Sequence, residues 1–283
     1  MQYRHSFHAG NFADVHKHIA LLALIASLQK KPKGFLFLDT HAGEGLYDLA
    51  SHDARHSAES AAGIAQLESR LAPSSCHPAI RSYLDGIGRL RRAGGSHHLY
   101  PGSPLLAALA LRDVDSLIAV ESQAAVARAL QRALDAAPAA AAARVIHGDG
   151  YQQLKALLPP PARRGLILID PPYEDADEEQ RIATGLAAAL QRFSTGVYAL
   201  WYPIKKRHDA DLWLARITRG IPCPQLTIEL CLRPPDNAAG LNGSGMLILN
   251  PPWQFDEEAG HWQPEVLALL GGTGGSAVRW LKS

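Results

Sequence analysis

Arg164-Gly165-Leu166-Ile167-Leu168-Ile169-Asp170-Pro171-Pro172-Tyr173 is the stretch whose reading decides the fold. Its apolar run has no residue left over for a solvated face, so it predicts a central strand of a parallel sheet, buried on both sides. Asp170 then falls at the carboxyl end of that strand, the edge at which open α/β sheets bind ligands. Two prolines follow, which cannot continue a ladder and which stiffen the backbone while leaving carbonyls without neighbouring N–H donors. Tyr173 adds an aromatic face. A turn at a strand end is the plain reading of Asp-Pro-Pro-Tyr. Set directly after a buried strand, the same four residues also suit an exocyclic amine on a nucleobase: Asp170 and the Pro171 carbonyl accept its two hydrogens and Tyr173 stacks on the ring.

Working outward, the chain alternates strands and helices. Upstream stand apolar strands at 34–39, 116–120 and 144–147, and a helix at 152–158 leads into the opening stretch. Downstream come a helix at about 178–193, strands at 197–202, 226–232 and 246–249, a last helix around 264–270 and an apolar tail at 278–281. This alternation predicts an α/β, doubly wound, mostly parallel sheet. Ahead of it, Asn11 followed by Asp14 resembles a capping box that opens a helix running to about Lys30 and ended by Pro32. Leu21, Leu22, Leu24, Ile25 and Leu28 cover most of its circumference, so the helix is expected to pack into the protein, with His16, Lys17 and His18 at its polar beginning. Residues 40–115 separate the first two strands, where a crossover needs only about a dozen residues. An inserted helical subdomain at about 47–99 fills the difference, before Ser103 as N-cap and Pro104 restart a helix to about Arg112. The organisation expected is an N-terminal arm and helix at 1–33 and a Rossmann-like domain at 34–283 that carries the insertion.

Charge decides little, because 28 basic side chains face 27 acidic ones and the net is +1. A nucleic-acid partner would be held by local patches such as Arg89, Arg91 and Arg92, Arg163-Arg164, or Lys205-Lys206-Arg207. Cys76, Cys223 and Cys231 are odd in number and lack Cys-x-x-Cys spacing, as expected of a cytoplasmic protein without disulfides or structural zinc. Residues 19–26 are apolar but follow Asp14, lack a cleavage site and are too short to span a bilayer, so no membrane partner is expected.

Four strand ends carry Asp39 with the turn Thr40-His41-Ala42-Gly43-Glu44-Gly45, then Glu121, Asp149-Gly150 and Asp170. In a parallel sheet they share one edge and are expected to converge on one cleft. A dinucleotide would want Gly-x-Gly-x-x-Gly with an acid about 20 residues on, and this chain has neither; its carboxylates would repel a pyrophosphate. S-adenosylmethionine suits the rim better. It has no phosphate, a ribose for Glu121, an adenine amine for Asp149, and a sulfonium that makes methyl transfer possible without a metal. Asn250-Pro251-Pro252-Trp253 also follows an apolar strand and looks like a second catalytic tetrapeptide. Its place after two further strands predicts an antiparallel strand whose carboxyl end points away from the cleft. His5 with His8 and His16 with His18 lack carboxylates or thiols at ligand spacing, so they read as polar surface residues and not as metal ligands.

These strings resemble one family, the ribosomal RNA large subunit methyltransferase J proteins. The likeness runs through Tyr3-Arg4-His5-Ser6-Phe7-His8-Ala9-Gly10-Asn11, Ala13-Asp14-Val15, Lys17-His18, Leu38 to Gly43, Tyr100 to Pro104, Gly165 to Tyr173, Tyr198 to Pro203 and Asn250 to Trp253, and covers nearly the whole chain. It implies a Rossmann-like class I methyltransferase fold and transfer of a methyl group from S-adenosylmethionine to N6 of an adenine in 23S ribosomal RNA. Residue by residue, Asp170 looks like the catalytic acceptor, and Lys17, His18, His41, Ser103, Glu121, Asp149, Gly150 and Asp170 look like cofactor-pocket positions. Tyr3 looks like an RNA contact beside Pro171, Pro172 and Tyr173. The alanine-rich tract around Pro138 and the run from Lys205 to Arg207 belong to no such string. Nothing signals an oligomer, so a monomer is expected. The rival readings are an adenine-N6 methyltransferase of DNA and a non-catalytic RNA-binding protein of the same fold. Glutamine methylation is disfavoured by Asp in place of Asn at position 170.

Overall fold

A computed structural model describes residues 9–51, 59–71, 76–234 and 240–283. Strand β6 (Gly165–Ile169) is buried at every position, as its composition requires. Leu166 and Leu168 pack into the core on one side of the sheet, while Ile167 and Ile169 face the other. β1 (Leu36–Asp39) pairs parallel with β6 and, on its other edge, with β4 (Ser116–Glu121), which pairs parallel with β5 (Ala142–His147). β7 (Val197–Ile204) continues the parallel set beside β6. β9 (Gly243–Leu249) then pairs antiparallel with both β7 and β8 (Gln225–Cys231), and β10 (Gly275–Lys282) closes that edge antiparallel to β8. The order across the sheet is β10-β8-β9-β7-β6-β1-β4-β5.

Helices cover both faces. α1 (Phe12–Gln29) starts at Asn11, whose side chain accepts from the Asp14 amide. It lies in the core with the inserted helices α2 (Ile64–Arg70) and α3 (Pro78–Gly94), the crossover helices α4 (Ser103–Ala110) and α5 (Ala124–Ala136), and α9 (Phe255–Leu269). The opposite face carries α6 (Gly150–Leu157), α7 (Glu178–Arg192) and α8 (Arg207–Ile217). Two short strands, β2 (Leu46–Asp48) and β3 (Leu99–Pro101), pair antiparallel and bring the two ends of the insertion together beside the main sheet.

Several local expectations are corrected. His16 and His18 are buried, not surface residues, because the first turns of α1 lie inside the protein, where His16 Nδ1 meets Ser244 and His18 Nδ1 meets Tyr100. The N-cap of α4 is Gly102, and the helix ends at Ala110; Ser103 already belongs to the first turn. Within the insertion, Gly63 separates a 3-10 turn (Glu59–Ala62) from α2, and a Cβ there would stand 2.0 Å from the Gly10 carbonyl. α9 starts nine residues before Pro264, which is tolerated inside it because Pro264 and Gly260, the carbonyl it leaves unbonded, both lie at the exposed surface. No described helix is long and apolar enough to cross a membrane.

Candidate active site

The register of the sheet builds the site. Asp39 sits opposite Ala119 and Leu168, and Glu121 opposite His147, so the turns after β1, β4, β5 and β6 open along one edge. A cleft of ≈ 720 Å³ lies there, lined among others by Lys17, His18, His41, Ser103, Glu121 and Asp170. A smaller pocket of ≈ 210 Å³ adjoins it, walled by Asn11, Pro171, Tyr173, Trp201, Pro203 and Lys205. Lys17, Asp170 and Pro172 line both spaces. The two cavities therefore meet at one carboxylate.

That carboxylate is held by Lys17. Its Nζ lies 2.6 Å from Asp170 Oδ2 and 2.7 Å from Asp14 Oδ1, with the lysine side chain only 5% exposed. Burial opposes the ammonium charge, but the two carboxylates outweigh it and hold the Lys17 pKa above its ordinary value. No described residue donates to Asp170 Oδ1. Tyr173 takes a left-handed conformation (φ 58°), which turns its ring back over the pocket. Its hydroxyl donates to the Trp201 carbonyl, and its ring meets those of Trp201 and Trp213 edge-on at 5.7 and 6.0 Å.

On the cleft side the turn after β1 is shaped by Gly43 (φ 63°), where a Cβ would come within 2.4 Å of the Tyr47 hydroxyl. Its amide donates to Glu121 Oε2 at 3.1 Å, while Glu121 Oε1 accepts from the Gln123 amide. Ser103 Oγ donates to Asp39 Oδ2 at 2.7 Å. Asp39 is wholly buried; burial raises its pKa to about 7, against the Ser103 hydrogen bond that lowers it. His41, edge-on to Tyr151 at 5.0 Å, is pushed down to about 4 by burial and is neutral. His18 Nδ1 meets the Tyr100 hydroxyl at 2.9 Å.

Of the four acidic strand ends, Glu121 and Asp170 line the cleft and Asp39 is wholly buried at the end of β1. Asp149 caps α6 through the Gln152 amide and pairs with Arg181 at 2.7 Å. Gly150 is where α6 crowds β1, since a Cβ there would lie 2.2 Å from the Thr40 carbonyl. Tyr3, with His5 and His8, lies outside the described residues. The basic clusters are mostly spent on structure. Arg89 donates to Leu109 and Pro138 carbonyls, Arg91 pairs with Glu68, Arg164 donates to Leu28 and Lys33 carbonyls, and Arg207 pairs with Glu229 and Asp211. Exposed Lys205 stays at the rim of the smaller pocket. Trp201 and Asp14 were not among the residues singled out; the signal for Trp201 was its place at the carboxyl half of a strand next to β6. Among the described residues, no group of three His, Cys, Asp or Glu side chains is arranged to hold a metal.

A mostly parallel doubly wound sheet, an antiparallel strand inserted before its last members, and an acid-rimmed cleft at the strand ends define the Rossmann-like class I methyltransferase fold. The family model described as ribosomal RNA large subunit methyltransferase D, RlmJ, matches residues 32–282, and the chain belongs to that family. It is therefore a methyltransferase. It is 40% identical over 283 residues to the ribosomal RNA large subunit methyltransferase J of Escherichia coli (strain K12), covering 99% of both chains. Identity is 37% over 287 residues to the protein of the same name from Haemophilus influenzae, again with 99% of each covered. The crystal structure of protein LPL1258 from Legionella pneumophila superposes with a TM-score of 0.82 at 33% identity over 98% of each chain.

Proposed function

We propose that the protein transfers the methyl group of S-adenosylmethionine to the exocyclic N6 of an adenine in 23S ribosomal RNA, acting as a monomer in the cytoplasm. The meeting of two cavities at the Asp170 carboxylate carries this reading, because a donor held in one and an acceptor held in the other come together at that group. The larger cleft fits the cofactor: its volume is in the range for such ligands, Gly43 of the turn after β1 lies on its wall, and its rim offers the acceptor Glu121. When bound, the cofactor supplies a sulfonium methyl group as the electrophile. Glu121 accepts from the ribose hydroxyls, and Ser103, His18 and His41 shape the rest of the cleft. Lys17 holds Asp170 in place. Asp149 accepts from the adenine amine of the cofactor, and Gly150 lets the start of α6 approach the end of β1 closely beside it.

The smaller pocket takes a single base, lifted from its RNA stack at a cost on the order of a few kcal/mol. Stacking on Tyr173, at about 1–3 kcal/mol per base, offsets much of that. The amine lone pair is delocalised into the ring and is a poor nucleophile. Asp170 Oδ1 and the Pro171 carbonyl each accept one of its hydrogens, which lets the nitrogen pyramidalise and direct its lone pair toward the cleft. Asp170 takes the released proton during or after transfer. Tyr3 is a further contact to the RNA.

Asp170→Ala leaves cofactor affinity within about tenfold and abolishes methylation, measured by calorimetry and by label transfer to 23S fragments. Retained turnover overturns the assignment. Greater label transfer to duplex DNA than to the RNA fragments overturns the substrate.

A further inference from the structure

Behind the smaller pocket runs a line of buried polar groups that the reaction above does not use. It starts at Trp201 on β7, which lines the pocket and whose indole Nε1 donates to Ser244 Oγ at 3.0 Å. Ser244 is fully buried on β9, and its oxygen lies 2.9 Å from His16 Nδ1 on α1. Beyond the imidazole, His16 Nε2 and Gln263 Oε1 on α9 are both buried without a hydrogen-bond partner among the described residues, and the Gln263 side chain faces the ring. Gln263 Nε2 is turned away, toward the Ala277 carbonyl at 3.4 Å.

The indole end dictates the direction of this line. An indole N–H only donates, so the Ser244 oxygen accepts and its own hydrogen has to go onward. The Ala13 carbonyl is 3.5 Å away, at the limit of a hydrogen bond, whereas His16 Nδ1 is well inside it. Nδ1 is thus the acceptor, and the one proton of a neutral imidazole sits on Nε2. Burial, which pushes the His16 pKa down to about 4, keeps the ring neutral.

Trp201 is therefore anchored twice, by its indole and by the Tyr173 hydroxyl on its backbone carbonyl. Removing the Ser244 hydroxyl would strand the indole N–H, and the ring would turn to find another acceptor, moving the pocket wall with it. We infer that Ser244 and His16 are positioning residues for the substrate: acting through Trp201, they set the width of the pocket that receives the base. The kinetic part of this inference rests on the proposed function; the ordering of the indole does not.

The test uses the full-length protein labelled with fluorotryptophan, with the Trp201 fluorine resonance assigned by Trp201→Phe, alongside steady-state methylation of an RNA fragment. Ser244→Ala shifts and broadens the Trp201 line. It raises KM for the RNA about tenfold, the size expected for one lost hydrogen bond, with kcat within about threefold and cofactor affinity unchanged. His16→Leu does the same. His16→Asn places an amide oxygen where Nδ1 stood and restores both the line and KM, a rescue that a purely structural role would not give. If Ser244→Ala fails to fold, the His16→Leu and His16→Asn pair makes the same comparison. An unmoved Trp201 line, or a moved line with an unchanged KM while the parent methylates RNA, overturns the inference. If the parent itself does not methylate RNA, the functional reading fails, and the fluorine line alone decides whether Ser244 orders Trp201.

Discussion

Asp170-Pro171-Pro172-Tyr173 and Asn250-Pro251-Pro252-Trp253 are near-copies in sequence, and each follows a fully buried strand. Their surroundings differ completely. β6 runs parallel to its neighbours and delivers Asp170 to the cleft, while β9 runs antiparallel to β7 and delivers Asn250 to the opposite edge, beside the start of β7. There the Asn250 amide donates to the Ser194 and Gly196 carbonyls at 2.8 Å each, an arrangement that ties down a loop. Tyr173 is held by one hydrogen bond and two ring contacts, whereas Trp253 is 86% exposed. A turn motif becomes a site only where strand direction sets it on a cavity and a buried partner such as Lys17 orders its carboxylate.

The comparison can be pressed hardest at Lys17, which has no counterpart at the second turn among the described residues. Lys17→Met leaves two buried carboxylates without their shared cation and is expected to cost about 3–5 kcal/mol of stability, read from denaturant midpoints, and to abolish methylation in whatever fraction still folds. A variant of near-parental stability would show that Asp14 and Asp170 do not depend on the ammonium. Next in size is Asn250→Asp, which puts carboxylate oxygens against two carbonyls and is expected to cost about 1–3 kcal/mol. Combined with Asp170→Ala it should restore no label transfer at all; recovered activity would mean that the second turn can serve as a site. Smallest is Trp253→Ala, expected to change stability by less than about 0.5 kcal/mol and to leave KM for RNA untouched. A several-fold rise in that KM would give the exposed ring a role in RNA binding.

The central strands were legible because continuous apolar runs such as those of β1 and β6 have only one environment available to them. The antiparallel turn of β9 was foreseen from its place in the strand order. Other elements were hidden. In α8 the buried stripe of Ala210, Leu214 and Ile217 is interrupted by Leu212, which is 47% exposed, and so blurs the helical period. The tail that becomes β10 alternates between exposed and half-buried positions and draws its ladder from β8. At the site, Glu121 and Asp170 line the cleft, while the pairing of Asp149 with Arg181, a partner 32 residues away, is one that no local pattern announces.

By itself the sequence determined the buried strands, the turns after them and the acidic, proline-stiffened edge, since side-chain type and spacing act locally on the backbone. Only the tertiary structure decided which polar side chains lie inside. His16 and Ser244 are 228 residues apart, and Lys17 and Asp170 are 153 apart. A polar group near the start of a helix reads as surface until the fold supplies the partner that repays its burial, and that partner comes from strands and helices far along the chain.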